Sequence, residues 1–386
     1  MNNFYSYNPT KILFGKGMIE RIGTELRDAE RIMLLYGHGS IRRNGVYDQV
    51  RAAVGDVSCV DFGGIGPNPE YETCLNAVEL ARREGVDFIL AVGGGSVIDA
   101  AKFVALACCS DEDEPWRIVT GTAPMPAHTL PVGCIQTLPA SGSEMNNAFV
   151  LSRRAEYSKM AFCNIALYPR FSVLDPETTM SLSRQQTALG IIDMTVHVLE
   201  QYITYPVFAP LQHRQAEALL STLIQVGEPL LQRLNDYDLR SAVMWCGAQA
   251  TNGMISRGVP TDWSTHTIGH ELTAMLDIPH AQTLALVLGG LYRHQIEPKR
   301  AMLAQYGRRV WGLSGSEEAI AEASIDQTDA FFERLGVPTR FGALGLDARA
   351  VSDALLRHLE ARDFKPIGEH RAIDLAAVKA ILMSRA

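Results

Sequence analysis

DFILAVGGGSVIDAAKFVALA, residues 87–107, reads as a strand, a glycine turn and a helix in immediate succession. The apolar run DFILAV (87–92) has strand length, and three glycines end it. Beyond them the pattern is helical. A strand feeding straight into a helix opens a βαβ unit, and such units build parallel sheets. Gly93, Gly94 and Gly95 let backbone N–H groups approach a ligand closely. Ser96 is placed to cap the helix, whose N-terminus favours an anion. The spelling is not GxGxxG, but the turn has the make-up of a phosphate cradle.

The same alternation runs outward to about residue 180. RIMLLY (31–36), PVGCIQTL (131–138) and FSVLD (171–175) are strand-like, and YETCLNAVELARREG (71–85) carries the helical period. Polar, glycine-bearing loops accompany them: GHGS (37–40), Gly66-Pro67-Asn68-Pro69, and LPASGSE (138–144), which offers Ser141, Gly142 and Ser143 as donors. In a parallel sheet such loops gather at the carboxyl edge, where ligands bind. Together they predict a dinucleotide site. After the first strand come Gly37, His38, Gly39 and Ser40, then Arg42 and Arg43, with no Asp or Glu before Asp48. NAD sites usually offer a carboxylate to the ribose hydroxyls, whereas a 2′-phosphate needs it gone. The loop therefore favours NADP(H).

From about residue 183 the pattern is helical throughout, as in RQQTALGIIDMTVHVLEQYI, HRQAEALLSTLIQVGEPLLQRL and QTDAFFERLGV. The expected organisation is an α/β dinucleotide-binding domain over 1–180 and an all-α domain over 181–386. In GIIDMTVHVLEQY (190–202), Asp193 and His197 are four apart and share one helix face. Ile191, Ile192, Val196 and Leu199 surround them, so the helix is buried, and a buried Asp needs a partner such as a metal. DWSTHTIGHELTAMLDIPH (262–280) holds three of the ten histidines. His266 and His270 are four apart on a helix, and His280, beyond Pro279, must return on a loop or at the next helix start. Asp193, His197, His266, His270 and His280 are thus candidate ligands. A carboxylate with imidazoles suits Fe²⁺ or Zn²⁺ better than Mg²⁺ or Ca²⁺. HExxH is absent because residue 274 is Ala.

The remaining composition sets limits. The chain is 47% hydrophobic and 20% charged, with a formal net charge of −8. No Lys/Arg run suggests nucleic acid or an anionic membrane. No apolar stretch reaches the ~18 residues of a membrane span; LALVLGGLY (284–292) reads as a core helix. The opening MNNFYSYNPTKILFGKG lacks signal-peptide character, so a cytoplasmic protein is expected. Seven cysteines, odd in number and without CxxC, read as small apolar residues in a reducing compartment.

VGGGSVIDAAK (92–102), the Asp193/His197 pair, HTIGHE running on to His280, YNPTKILFGKG (7–17) and GPNPEYET (66–73) together resemble the iron-containing, or group III, alcohol dehydrogenases. The likeness runs nearly end to end, and it is nearest the bacterial NADPH-dependent aldehyde reductase branch, related to butanol dehydrogenases. It implies a Rossmann-like domain followed by a helical one, as in dehydroquinate synthase, with the active site in the cleft between. It implies hydride transfer between NADP(H) and a small alcohol or aldehyde, mainly as aldehyde reduction. The ligands of one divalent metal, Fe²⁺ or Zn²⁺, would be Asp193, His197, His266 and His280. His270 would stand by the nicotinamide as the catalytic residue. NADP contacts would fall on Gly93 to Ser96, Asn68, Thr137, Leu138, Ser141 and Lys159, and homodimers are common. His38 stands where NAD-using relatives tend to have Asp, in agreement with NADP. LPASGSE departs from the more usual TTAGTGSE. Asn147, Met254 and Trp263 are candidates for the pocket wall. The alternative on the same fold is a dehydroquinate synthase-like lyase or a polyol-phosphate dehydrogenase. It needs a basic pocket, and Arg257 is the nearest cation to the histidine motifs.

Overall fold

The computed structural model describes all 386 residues. Its strands are β1 (Lys11–Phe14), β2 (Arg31–Tyr36), β3 (Ser58–Phe62), β4 (Phe88–Gly94), β5 (Val132–Leu138), β6 (Ala148–Arg153), β7 (Ser158–Cys163) and β8 (Phe171–Leu174). Six form one sheet in the order β1-β8-β5-β4-β2-β3, with every neighbouring pair parallel. The main helices between them are α1 (Val46–Val54), α2 (Tyr71–Glu84) and α3 (Gly95–Cys108). β2 and β4 are buried on both faces, which is why they read as unbroken apolar runs. Met33, Leu35, Ile89 and Ala91 pack with Ile98 and Phe103 on one side, and Ile32, Leu34, Leu90 and Val92 pack with Val50 on the other.

From β2 the chain builds outward to β3; from β4 it builds the other way, to β5 and β8. The order therefore reverses between β2 and β4. Such a switch point is where an open α/β sheet opens a crevice at its carboxyl edge. Three strand features are illegible in the sequence. KILF and SCVDF are short, carry charges, and form the two half-exposed edges of the sheet. β6 and β7 form a separate antiparallel hairpin whose connecting turn is charged.

The chain divides into two compact units, Tyr7–Ser183 with Leu234–Ala248, and Met1–Ser6 with Arg184–Arg233 and Gln249–Ala386. A single cut at 180/181 therefore differs from the structure by two exchanged segments. Packing explains both. Met244 and Ala248 bury against Leu174, with Ile12 and Met145 alongside. Tyr237 Oη accepts a hydrogen bond from Lys16 N at 3.1 Å. At the other end, Asn2 N donates to Gly258 O at 2.8 Å.

The second unit is helical and contains no strand. Its helices are α4 (Arg184–Tyr202), α5 (Pro210–Gln232), the end of α6 (Tyr237–Ala250), α7 (Ser264–Leu276), α8 (His280–His294), α9 (Ile296–Val310), α10 (Glu317–Arg334), α11 (Ala348–Ala361) and α12 (Leu375–Met383). α4 and α8 are buried over most of their length. α8 contains LALVLGGLY, and no helix is long and apolar enough to cross a membrane. All seven cysteines are free thiols.

Candidate active site

Three of the five candidate ligands converge in the helical unit. One donor atom from each of Asp193, His266 and His280 lies within 4.8 Å of the others. His197 stands against this group: its Nδ1 is 3.8 Å from Asp193 Oδ2, and its ring stacks on His266 with centroids 4.4 Å apart. His266 Nε2 is 4.0 Å from Asp193 Oδ1. Donor bonds of about 2.1 Å in a tetrahedral shell put donor atoms roughly 3.4 Å apart. The group thus has close to the spacing of a shell around one ion. His270 is one turn beyond His266, half-buried, with its ring 4.7 Å from His280 and 6.2 Å from His266.

The local folding that builds this group is specific. α7 ends in a left-handed Asp277 (φ 53°), and Pro279 precedes α8, so His280 is the first residue of the next helix. Gly269 lets the two helices close: a Cβ there would lie 2.7 Å from Leu284 Cδ2. The Thr273 and Thr283 hydroxyls both donate to Gly269 O, at 2.8 and 2.9 Å. These contacts bring a His-x-x-Gly-His helix and the following helix start to one point.

Two observations test whether a metal fits. His197 Nδ1 and His266 Nε2 are buried nitrogens with no hydrogen-bond partner. Burying polar atoms without partners is costly, and metal ligation would offset that cost. Burial first, and the nearby His266 second, hold the His197 imidazole well below its usual pKa, and the neutral form is the one that ligates. A buried carboxylate with neutral imidazoles matches Fe²⁺ or Zn²⁺ chemistry.

One functional neighbour was missed from the sequence. Glu200, one turn after His197, receives the His266 Nδ1 side on its Oε2, while Oε1 accepts from Thr265 N at 2.6 Å. A carboxylate behind a histidine fixes the proton on Nδ1 and turns Nε2 toward a metal. The only available signal was its i+3 spacing from His197, which is too common to single it out. Trp263, with φ 61° at the start of α7, walls the group 5.4 Å from the His266 ring. Of the other pocket candidates, Asn147 belongs to the α/β unit and Met254 is 48% exposed.

In the α/β unit, the phosphate-cradle residues meet at the sheet edge. A Cβ on Gly93 would lie 2.4 Å from Val97 Cγ2, and one on Gly95 would lie 2.1 Å from Ser141 Oγ. These glycines are required by close approach. Leu138 and Ser141 therefore touch the glycine turn, and Thr137 is the last residue but one of β5. Ser96 does not cap α3. Gly94 is the N-cap, without a side-chain cap bond, and Ser96 lies inside the first turn. The first N–H groups of α3 thus lack the side-chain acceptor that would compete with an anion. Asn68, in a left-handed conformation (φ 55°), accepts from Lys159 Nζ at 2.9 Å, which ties the β6–β7 hairpin to the GPNP loop. His38 is exposed and faces Gly66.

Beneath this edge lies a buried ammonium. Lys102 Nζ, fully buried, reaches Ser143 O and Oγ, Asn146 O and Oδ1, and Ala148 O, all between 2.7 and 3.0 Å. Burial pulls its pKa down to about 8, opposed mainly by Asp99. A ring of oxygens suits a charged donor, so the ammonium persists at neutral pH. Asp99 accepts from Ser143 Oγ at 2.6 Å and from Val150 N at 3.0 Å. The network fixes the 141–148 segment that carries Ser141.

The structure also qualifies the reading of the loop after β2. Asp61, from β3, is brought beside it. Arg42 Nη2 donates to Asp61 Oδ2 at 2.8 Å, and Tyr47 Oη donates to the same oxygen at 2.5 Å. A carboxylate is therefore near the loop after all, supplied by another strand, and Arg42 is committed to it. Arg43 is exposed.

Two family models match the chain: iron-containing alcohol dehydrogenase over residues 9–176, and the C-terminal region of the Fe-containing alcohol dehydrogenase family over 187–385. The chain is 46% identical over 383 residues to the NADPH-dependent aldehyde reductase YqhD of Escherichia coli, covering 99% of each. The substrate- and cofactor-free structure of that aldehyde reductase superimposes with a TM-score of 0.92 at 44% identity, covering 100% of both chains. The NADH-dependent butanol dehydrogenase A of Thermotoga maritima superimposes with a TM-score of 0.94 at 30% identity, covering 100% of this chain and 99% of that one.

Proposed function

The chain belongs to the iron-containing alcohol dehydrogenase family, and from that premise we propose that it reduces small aldehydes with NADPH, using one divalent cation, Fe²⁺ or Zn²⁺. It is an oxidoreductase, and the lyase alternative on the same fold is not favoured. The observation that carries the reading is the buried donor group of Asp193, His266 and His280 with His197 against it, left with two unpartnered imidazole nitrogens. The aldehyde and NADPH parts are supported by end-to-end likeness to an aldehyde reductase of that cofactor.

In the mechanism, a bound cation supplies Lewis acidity toward a carbonyl oxygen and NADPH supplies the hydride. The chain's own residues do the rest. Asp193 and His197 present donors from one face of α4, and His266 and His280 from α7 and α8. Glu200 keeps the His266 proton on Nδ1. Trp263 excludes water from one side of the group. His270, beside His280, would hand a proton as general acid to the alkoxide oxygen left by hydride addition. Gly93–Ser96, Leu138 and Ser141 cradle the pyrophosphate, with Asn68 and Lys159 beside them; Gly37–Ser40 take the adenosine end. Action as a homodimer in the reducing cytoplasm belongs to the same proposal, supported by the resemblance and by seven unpaired thiols.

The test is loss of NADPH absorbance with butanal and, separately, with a sugar phosphate, on enzyme stripped by chelator and reloaded with Fe²⁺ or Zn²⁺. Turnover of butanal that depends on reloading is expected. Turnover of the sugar phosphate alone, or undiminished turnover in stripped enzyme, would overturn the reading.

A further inference from the structure

The loop after β2 carries no carboxylate of its own, yet Asp61 stands within reach of its first arginine, Arg42. Four side chains, one each from β2, the loop after it, α1 and β3, meet there. Arg42 Nη2 donates to Asp61 Oδ2 at 2.8 Å and to Tyr36 Oη at 2.7 Å. Its guanidinium carbon sits 3.9 Å from the Tyr47 ring centroid, and Tyr47 Oη closes the arrangement on the same Asp61 oxygen at 2.5 Å. Arg42 is 46% exposed and Asp61 29%. A pair this exposed contributes little to stability, so holding the fold together is a weak reason for gathering two donors on one carboxylate oxygen. Its effect on charge is larger. An unscreened carboxylate beside a dianionic phosphate repels it, whereas beside ribose hydroxyls it is an acceptor.

We propose that Asp61 is a concealed cofactor-specificity residue: Arg42 and Tyr47 cap its carboxylate, and this cap lets the loop after β2 accept a 2′-phosphate. The proposal rests on the NADP reading above and deepens it. Arg42 acts through Asp61 and not on the phosphate, which leaves the exposed His38, Ser40 and Arg43 as the groups on that loop able to meet it.

The experiment compares wild type, Arg42→Met and Arg42→Met/Asp61→Asn, measuring kcat/KM and Kd for NADPH and for NADH on metal-loaded enzyme. Arg42→Met should reduce the NADPH-over-NADH preference by about tenfold or more, carried by KM and Kd for NADPH, with the NADH constants little changed. The double variant should return the preference to within roughly threefold of wild type, because removing the charge makes the cap unnecessary. Damage to the fold would weaken both cofactors alike, so the split between them identifies the electrostatic cause. A preference that stays lost in the double variant would mean that Arg42 binds the phosphate itself, and the proposal falls. A strong wild-type preference left untouched by Arg42→Met would overturn the proposal and leave the NADP reading standing. Equal use of both cofactors by wild type would overturn both.

Discussion

Glu200→Gln is the smallest change that separates a metal-supporting carboxylate from a merely buried one. Glu200 Oε1 accepts from Thr265 N at 2.6 Å and from His266 N at 3.4 Å, and Oε2 faces His266 Nδ1. An amide has one oxygen and one NH₂, so it serves only one of these sides. With its oxygen toward His266, the NH₂ opposes the Thr265 N–H, and an unsatisfied buried donor costs about 1–3 kcal/mol. With its oxygen toward Thr265, the NH₂ makes His266 Nδ1 an acceptor. The proton then moves to Nε2, the nitrogen that should ligate. Either way the site weakens, by the 10–100-fold in metal affinity typical of lost histidine support, or about 1.4–2.8 kcal/mol. The assay is chelator competition for Zn²⁺ on the intact enzyme, with NADPH binding measured in parallel as a control located in the other unit. NADPH affinity should hold while the Zn²⁺ Kd rises. A Zn²⁺ Kd within about threefold of wild type would refute the tautomer argument.

Three further changes test separate parts. His270→Ala should keep its metal and bind NADPH, yet lose roughly 10²-fold in kcat, the low end for general acid–base catalysis; a variant purified without metal would make His270 a ligand instead. His38→Asp should lower kcat/KM for NADPH relative to NADH by about tenfold through repulsion of the 2′-phosphate, and an unchanged ratio in steady-state kinetics would place the phosphate elsewhere. Lys102→Met leaves Asp99 buried without its cation and should destabilise the α/β unit by about 3–5 kcal/mol in denaturant unfolding. The pH dependence follows from the same residue. Its folded pKa is lowered from 10.5 to about 8, so between those values the unfolded chain binds more protons, and this lysine makes stability rise with pH. Lys102→Met should remove that slope.

Much of the fold was legible because its signals lie within single elements. β2, β4 and β5 are central, so they read as continuous apolar runs, and α2 and α3 follow strong turns. The Asp193/His197 and His266/His270 spacings report shared helix faces, and Pro279 puts His280 outside that helix; the structure makes it the first residue of the next one. What stayed hidden is what packing decides. β1 and β3 are edge strands, whose exposed halves carry polar residues at any position. Segment 234–248 joins the α/β unit through Met244 and Ala248, which in sequence look like any amphipathic helix. Glu200 meets a histidine 66 positions away, and Asp61 meets an arginine 19 positions away on a different element. Ser96 does not serve as the cap because the helix starts earlier, at glycines whose role is close approach.

Those hidden contacts share an electrostatic logic within each unit. Around the loops proposed for phosphate, three carboxylates each have a protein donor on at least one oxygen. Asp99 has Lys102 beside it and the Ser143 hydroxyl, Glu144 takes the Gln136 amide at 2.7 Å, and Asp61 takes Arg42 and Tyr47. A polyanionic ligand approaching that edge meets backbone N–H groups and few bare negative charges. In the helical unit, Lys299 satisfies Asp262 and Glu369 at 2.7 and 2.8 Å, but Glu200 receives only backbone N–H groups and an imidazole. No lysine or arginine answers it, so its charge is passed through His266 toward the buried donor group. In a chain with a net charge of −8, negative charge is thus shielded at the edge proposed for an anion and left effective at the donor group proposed for a cation.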